Sequence, residues 1–200
     1  MYRDLALITN SSEFAQTTNF TSISLISDTR QFIKGYAYVQ EITVVSPSAG
    51  TFTADAATDV MTKTAHGFKT GLVVRVSNSG GALPSGLLAA TDYYVIYVSA
   101  DTFKLATSLV NANAGTAINI TTNGTGTQTV TPTALAGANY KHQISVDGST
   151  WIDGGGSTNI TVSTNVITEK VHPMYNYIRH VYTLTSGQLS VTEKVLLKGE

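Results

Sequence analysis

The chain has 200 residues, no cysteine, a net charge of −1, and 12% charged residues where an average soluble protein has roughly 25%. Disulfides, thiol catalysis and cysteine-ligated metals are excluded, and no long-range field draws the chain to nucleic acid or to an anionic membrane. The 42% of hydrophobic residues is too high and too well patterned for a disordered chain, and the polar surface has to come from Thr, Ser, Asn and Gln.

The first residues, Met1-Tyr2-Arg3-Asp4-Leu5, have no basic segment leading into an apolar stretch, so no secretory signal is expected. Residues 2–20 carry weak strand signals and read as an N-terminal arm that orders on assembly. Strand signals follow. Thr21-Ser22-Ile23-Ser24-Leu25-Ile26 alternates polar and apolar residues, and 36–45 is rich in aromatic and β-branched types. Ser46-Pro47-Ser48-Ala49-Gly50 breaks the pattern. From Thr51 to Val130 the chain turns to Gly, Ala and Thr, and 132–137 is a second small-residue link. Strands then resume at Tyr140-Lys141-His142-Gln143-Ile144-Ser145-Val146, and Asp147-Gly148 marks a hairpin reversal before Trp151-Ile152. Alternation continues over 159–167, 175–184 and 189–197.

These signals predict an all-β chain. Neither flank alone has enough strands to cover a core; together they supply about six or seven, as a small sandwich needs. The expected organisation is an antiparallel β-sandwich, discontinuous over 1–49 and 131–200, with 1–20 as the arm. A small β-barrel or meander is inserted over 50–130, with Phe68, Val74, Tyr94, Ile96, Phe103 and Leu105 in its core. Residues 119–130 are read as a closing hairpin.

Within the insert, Ala65-His66-Gly67-Phe68-Lys69-Thr70-Gly71, then Leu83-Pro84-Ser85-Gly86, Thr91-Asp92-Tyr93-Tyr94 and Ala100-Asp101-Thr102-Phe103 keep an order that resembles the small β-domain repeated in tailed-bacteriophage tail and virion proteins. Sequence profiles relate that domain to the first-catalytic-cysteine half-domain of ubiquitin-activating enzymes. That label implies no thioester chemistry here, because the chain has no cysteine. Ser145-Val146-Asp147-Gly148-Ser149-Thr150-Trp151 and Tyr177-Ile178-Arg179-His180-Val181-Tyr182-Thr183-Leu184-Thr185-Ser186-Gly187 are similar to a hairpin and a strand-turn of phage β-sandwich modules, of the kind found in head-decoration and tail-accessory proteins.

Chemistry is sparse in the sequence. His66, His142, His172 and His180 have no metal-site spacing; His66 is expected to bond a backbone carbonyl, and His142 and His180 to face solvent or a satisfied core. Asp147 and Asp153 are read as turn residues rather than a glycosidase pair. Trp151 is expected in the sandwich core, with a sugar-stacking platform as the alternative. No catalytic, cofactor-binding or metal-binding residue is assigned, and no cofactor is expected.

The resemblance implies a non-enzymatic structural part of a phage particle, assembled in the bacterial host cytoplasm. A capsid decoration or cementing protein is the first expectation, and a tail accessory or a receptor- or glycan-binding module of a tail tip or fibre is the alternative. The implied partners are the major capsid protein or other virion proteins, with a homo-oligomer, a trimer among the options, and a host-surface glycan under the alternative. No nucleic-acid or membrane partner is expected. The candidate interface residues are Tyr2, Phe14, Phe20, Tyr93 and Tyr97.

Overall fold

The structure is a computed structural model and describes residues 6–16, 20–24, 36–162, 164–171 and 177–199. It is mostly β. In chain order the strands are β1 (Ala6–Gln16), β2 (Phe20–Ser24), β3 (Tyr36–Val45), β4 (Gly50–Asp55), β5 (Val60–Thr62), β6 (Val73–Ser79), β7 (Tyr93–Tyr97) and β8 (Thr102–Ala106). A one-turn helix α1 (Leu109–Asn113) is followed by β9 (Thr127–Pro132), β10 (Asn139–Ser145), β11 (Ile152–Asp153), β12 (Thr158–Asn159), β13 (Thr164–Val171), β14 (Tyr177–Thr183) and β15 (Leu189–Gly199). Two compact units result. The first comprises Met1–Val45, Leu135–Thr185 and Leu189–Glu200, and the second Ser46–Ala134 with Ser186–Gln188.

The first unit holds two antiparallel sheets, one of four strands in the order β1-β15-β3-β13 and one of five, β11-β10-β14-β2 with β12 also on β10. Val44 and Leu189 come from the one sheet and Tyr140 and Tyr182 from the other, and they share a buried cluster with Ala138 and Ile160. Residues 6–16 are not a free arm. They pair along β15, from Ala6 opposite Leu197 to Gln16 opposite Leu189. Register shifts between Leu7 and Thr9 and between Ser11 and Phe14 break the period-two pattern, which is why the strand signal reads as weak.

The second unit is a closed six-stranded barrel in the order β4-β5-β8-β7-β6-β9. Closure leaves the barrel no sheet edge. Residues 119–126 are irregular, and no hairpin forms over 119–130; instead β9 closes the barrel by pairing with both β4 and β6. Phe68, Val74, Phe103 and Leu105 are buried as expected, together with Phe52, Met61, Leu72, Val76 and Ile120. Phe68 and Phe103 meet edge to face with ring centroids 5.3 Å apart, the arrangement aromatic quadrupoles favour.

The expected phase of β7 is wrong by one residue. Tyr93 and Val95 are buried, while Tyr94 and Ile96 are only half-buried. Tyr93-Tyr94-Val95-Ile96-Tyr97-Val98 is apolar or aromatic on both faces, so alternation cannot select the inner one. Pairing selects it: the Val95 N–H donates to the Leu72 carbonyl and its carbonyl accepts from Gly71.

Candidate functional site

The motif around His66 lies in the barrel unit and is built for folding. The ring is buried. Its Nδ1 accepts the Phe68 N–H at 2.9 Å, and Nε2 donates to the Ser99 carbonyl at 2.9 Å, with the Thr102 carbonyl at 3.2 Å. That pattern fixes the Nε2–H tautomer. Gly67 has φ +66°, a left-handed conformation in which a Cβ is costly, and so the turn calls for glycine. The imidazole thus ties this turn to the β7–β8 turn, and it packs edge-on against Phe103 at 5.3 Å. His66 bonds backbone, as its sequence context implied.

Gln188 was missed by sequence reasoning. It is fully buried (0% exposed), its Oε1 accepts the Lys69 N–H at 2.8 Å, and its Nε2 donates to the Gly67 carbonyl at 2.8 Å. Nothing local signals this role, because its partners lie 119 and 121 residues away.

In the first unit, the expected reversal occurs between β10 and β11 and is organised by one carboxylate. Asp147 Oδ1 accepts from the Ser149 and Thr150 N–H groups, both at 2.8 Å, and from the Ser145 hydroxyl at 2.9 Å. The Thr150 and Ser149 bonds hold its carboxyl far below the usual carboxylate range. Asp153 is not a turn residue. It sits on β11 opposite Gln143, accepts from Gln143 Nε2 at 2.7 Å and pairs with Lys141 Nζ at 3.1 Å. Those two contacts, Gln143 first, lower its pKa.

Register extends this polar row. Gln143 also faces Arg179 on β14, and Arg179 Nε donates to Gln143 Oε1 at 2.7 Å. The Arg179 guanidinium lies 4.3 Å from the Trp151 ring centroid. Trp151 is half-buried rather than a core residue. It follows the turn rather than sitting within a strand, so its indole is held by a cation on the sheet instead of by the core cluster. Asp153, Gln143, Arg179 and Trp151 therefore form one connected polar and aromatic face. His142 and His180, directly opposite each other, are buried.

Of the candidate interface residues, Tyr93 is only 3% exposed and its hydroxyl accepts the Leu88 N–H at 2.8 Å, so its ring is barrel core and not surface. Tyr97 is 42% exposed, with Lys69 Nζ 5.2 Å from its ring centroid. Phe14 lies in β1 opposite Val191 and Phe20 in β2 opposite Tyr182. Tyr2 lies outside the described residues. Among the described residues no group of three His, Cys, Asp or Glu is placed to hold a metal ion. No protein-family model matches the chain, and no curated protein matches it.

Proposed function

We propose that this chain is a structural component of a tailed-phage particle and acts as a capsid decoration or cementing protein. What supports the reading is the order of short motifs in the sequence, which resembles that of phage β-domains. In this chain those motifs are used as folding elements: His66 and Gly67 build a turn, Phe68 and Phe103 a core, and Asp147 and Gly148 a hairpin. A sandwich of the two sheets of the first unit belongs to this reading, and the shared cluster of Val44, Leu189, Tyr140 and Tyr182 supports it. The mechanism is stoichiometric binding without a catalytic step. Each subunit covers surface on its neighbours, with about 800 Å² per partner as the scale of a stable contact. A closed homotrimer suits particle symmetry. Trp151 and Arg179, side by side on this row, are of the residue types enriched in binding faces.

Mass spectrometry of gradient-purified particles tests this. The chain is expected to sediment with the particle in amounts stoichiometric with a capsid or tail component. Recovery only in the particle-free fraction of the lysate overturns the proposal.

A second reading, a receptor- or glycan-binding module of a tail tip, is favoured by one feature: Trp151 is only half-buried. Under that reading Trp151→Ala lowers adsorption of particles to host cells and leaves particle assembly unchanged.

A further inference from the structure

A groove of about 670 Å³ opens on the barrel unit beside β4, β5 and the start of β9, within the roughly 300–1,000 Å³ typical of ligand sites. Five threonines, Thr51, Thr53, Thr62, Thr64 and Thr127, line it together with one cation, Lys63. Thr53 and Thr62 are direct cross-strand partners, so their positions are set by the barrel ladder rather than by a loop.

Lys63 is held in place. Its N–H donates to the Asp101 carbonyl at 2.9 Å. Its side chain lies across Gly50, where a Cβ would come within 2.6 Å of the Lys63 Cε. Its ammonium stands 5.4 Å from the Phe68 ring centroid. Among the described residues no carboxylate pairs with it; the ion pairs are Arg75 with Asp92 and Lys141 with Asp153. Lys63 is a half-buried lining residue, and an ammonium without an anionic partner keeps donors for a ligand in the groove. Gln128, also in the lining and 5% exposed, spends its Nε2 on the Ala82 and Thr125 carbonyls, while its Oε1 accepts no hydrogen bond.

We infer that this groove binds an acidic saccharide, with the sugar carboxylate on Lys63 Nζ and the sugar hydroxyls on the threonine row. A single cation matches a single carboxylate. A phosphate ester carries up to two negative charges and is met as a rule by several donors converging on it. A nucleotide needs a ring on which its base can stack, and the one aromatic residue of the lining, Phe52, is turned into the barrel core. The inference rests on the barrel alone and on neither reading of the particle.

The test is a titration of the ¹⁵N-labelled full chain followed by amide chemical shifts. N-acetylneuraminic acid and trigalacturonic acid supply the same carboxylate-and-hydroxyl chemistry from two sources. At least one is expected to shift the amides of Thr51, Thr53, Thr62, Lys63 and Thr127 saturably. Trigalacturonate methyl ester is expected to bind at least about tenfold more weakly than the free acid wherever the free acid binds, and Lys63→Gln to weaken the acidic ligand by a similar factor. Lys63→Arg retains binding. Gly50→Ala, which keeps the charge and displaces it, weakens binding at least about threefold. The inference is overturned if neither acidic saccharide shifts these amides, if the ester binds as tightly as the acid, if both Lys63→Gln and Gly50→Ala bind like the parent chain, or if inorganic phosphate produces the same shifts at the same concentration.

Discussion

Replacing His66 by alanine removes the hinge-pin of the barrel, and the structure allows the loss to be divided. The Phe68 N–H has His66 Nδ1 as its partner, and a buried N–H left without an acceptor costs about 1–3 kcal/mol. The Ser99 and Thr102 carbonyls lose the Nε2–H, but each keeps a backbone donor: Thr102 N–H at 3.4 Å on Ser99, and Ser99 N–H at 2.9 Å on Thr102. Their share is therefore the smaller, about 0.5–1.5 kcal/mol. Removing the ring also opens space against Phe68 and Phe103, whose centroids lie 4.9 and 5.3 Å from it, at about 1–2 kcal/mol more. The expected total is about 2.5–6.5 kcal/mol. His66→Asn separates the contributions. An asparagine Oδ1 can accept the N–H two residues on, as in an Asx-turn, so it rescues Phe68 and loses roughly half as much. The assay is native-state hydrogen exchange at the Val95 and Phe103 amides, which reports opening of the barrel independently of the other unit. A loss under about 1 kcal/mol for His66→Ala, or equal losses for alanine and asparagine, refutes the assignment of His66 as a two-sided backbone clamp.

Gln188→Ala removes the partners of the Lys69 N–H and the Gly67 carbonyl and is expected to destabilise the barrel unit by about 2–4 kcal/mol, seen as faster exchange of the Lys69 amide; unchanged exchange argues against the contact. Asp147 has a lowered folded pKa. Its hairpin bonds therefore contribute stability above the unfolded value of about 3.9 and lose it as pH falls through the folded value. A carboxyl-carbon NMR titration is expected to give a midpoint well below about 3.9, with Ser149 and Thr150 still protected at pH values near it, and a midpoint at the ordinary value contradicts this. Arg179→Ala uncovers the ring of Trp151, the single tryptophan of the chain, and shifts its emission to the red, while Arg179→Lys shifts it part of the way because a compact, more strongly hydrated ammonium covers less of the ring; an unmoved spectrum argues against the pairing.

The fold was legible where local chemistry decides the backbone. Asp147-Gly148 announces a reversal, because a carboxylate can cap its own turn and glycine tolerates the positive φ of 75° found at Gly148. His66-Gly67-Phe68 announces a turn for the same kind of reason. Legibility ended where two signals compete or where distance intervenes. Both faces of β7 are apolar, so only pairing with the Gly71–Leu72 segment puts Tyr93 inside and makes it unavailable as a contact residue. In β1, the register shifts hide an 11-residue strand behind an irregular pattern. Trp151 follows the hairpin turn, where a core position is the ordinary outcome, but an arginine from another strand holds it at the surface. The groove at Lys63 is assembled from threonines on separate strands, and threonine in a strand reads first as a good β-former.

Under the function proposed above, this chain would be a structural part of a phage particle that binds its neighbours without chemistry. Cryo-electron microscopy of the intact particle tests it most directly. The account predicts density for the chain at regular capsid lattice sites, touching several major capsid subunits. Density confined to the tail or its tip contradicts the decoration role in favour of the tail reading, and particles that carry no density for the chain contradict the structural claim itself.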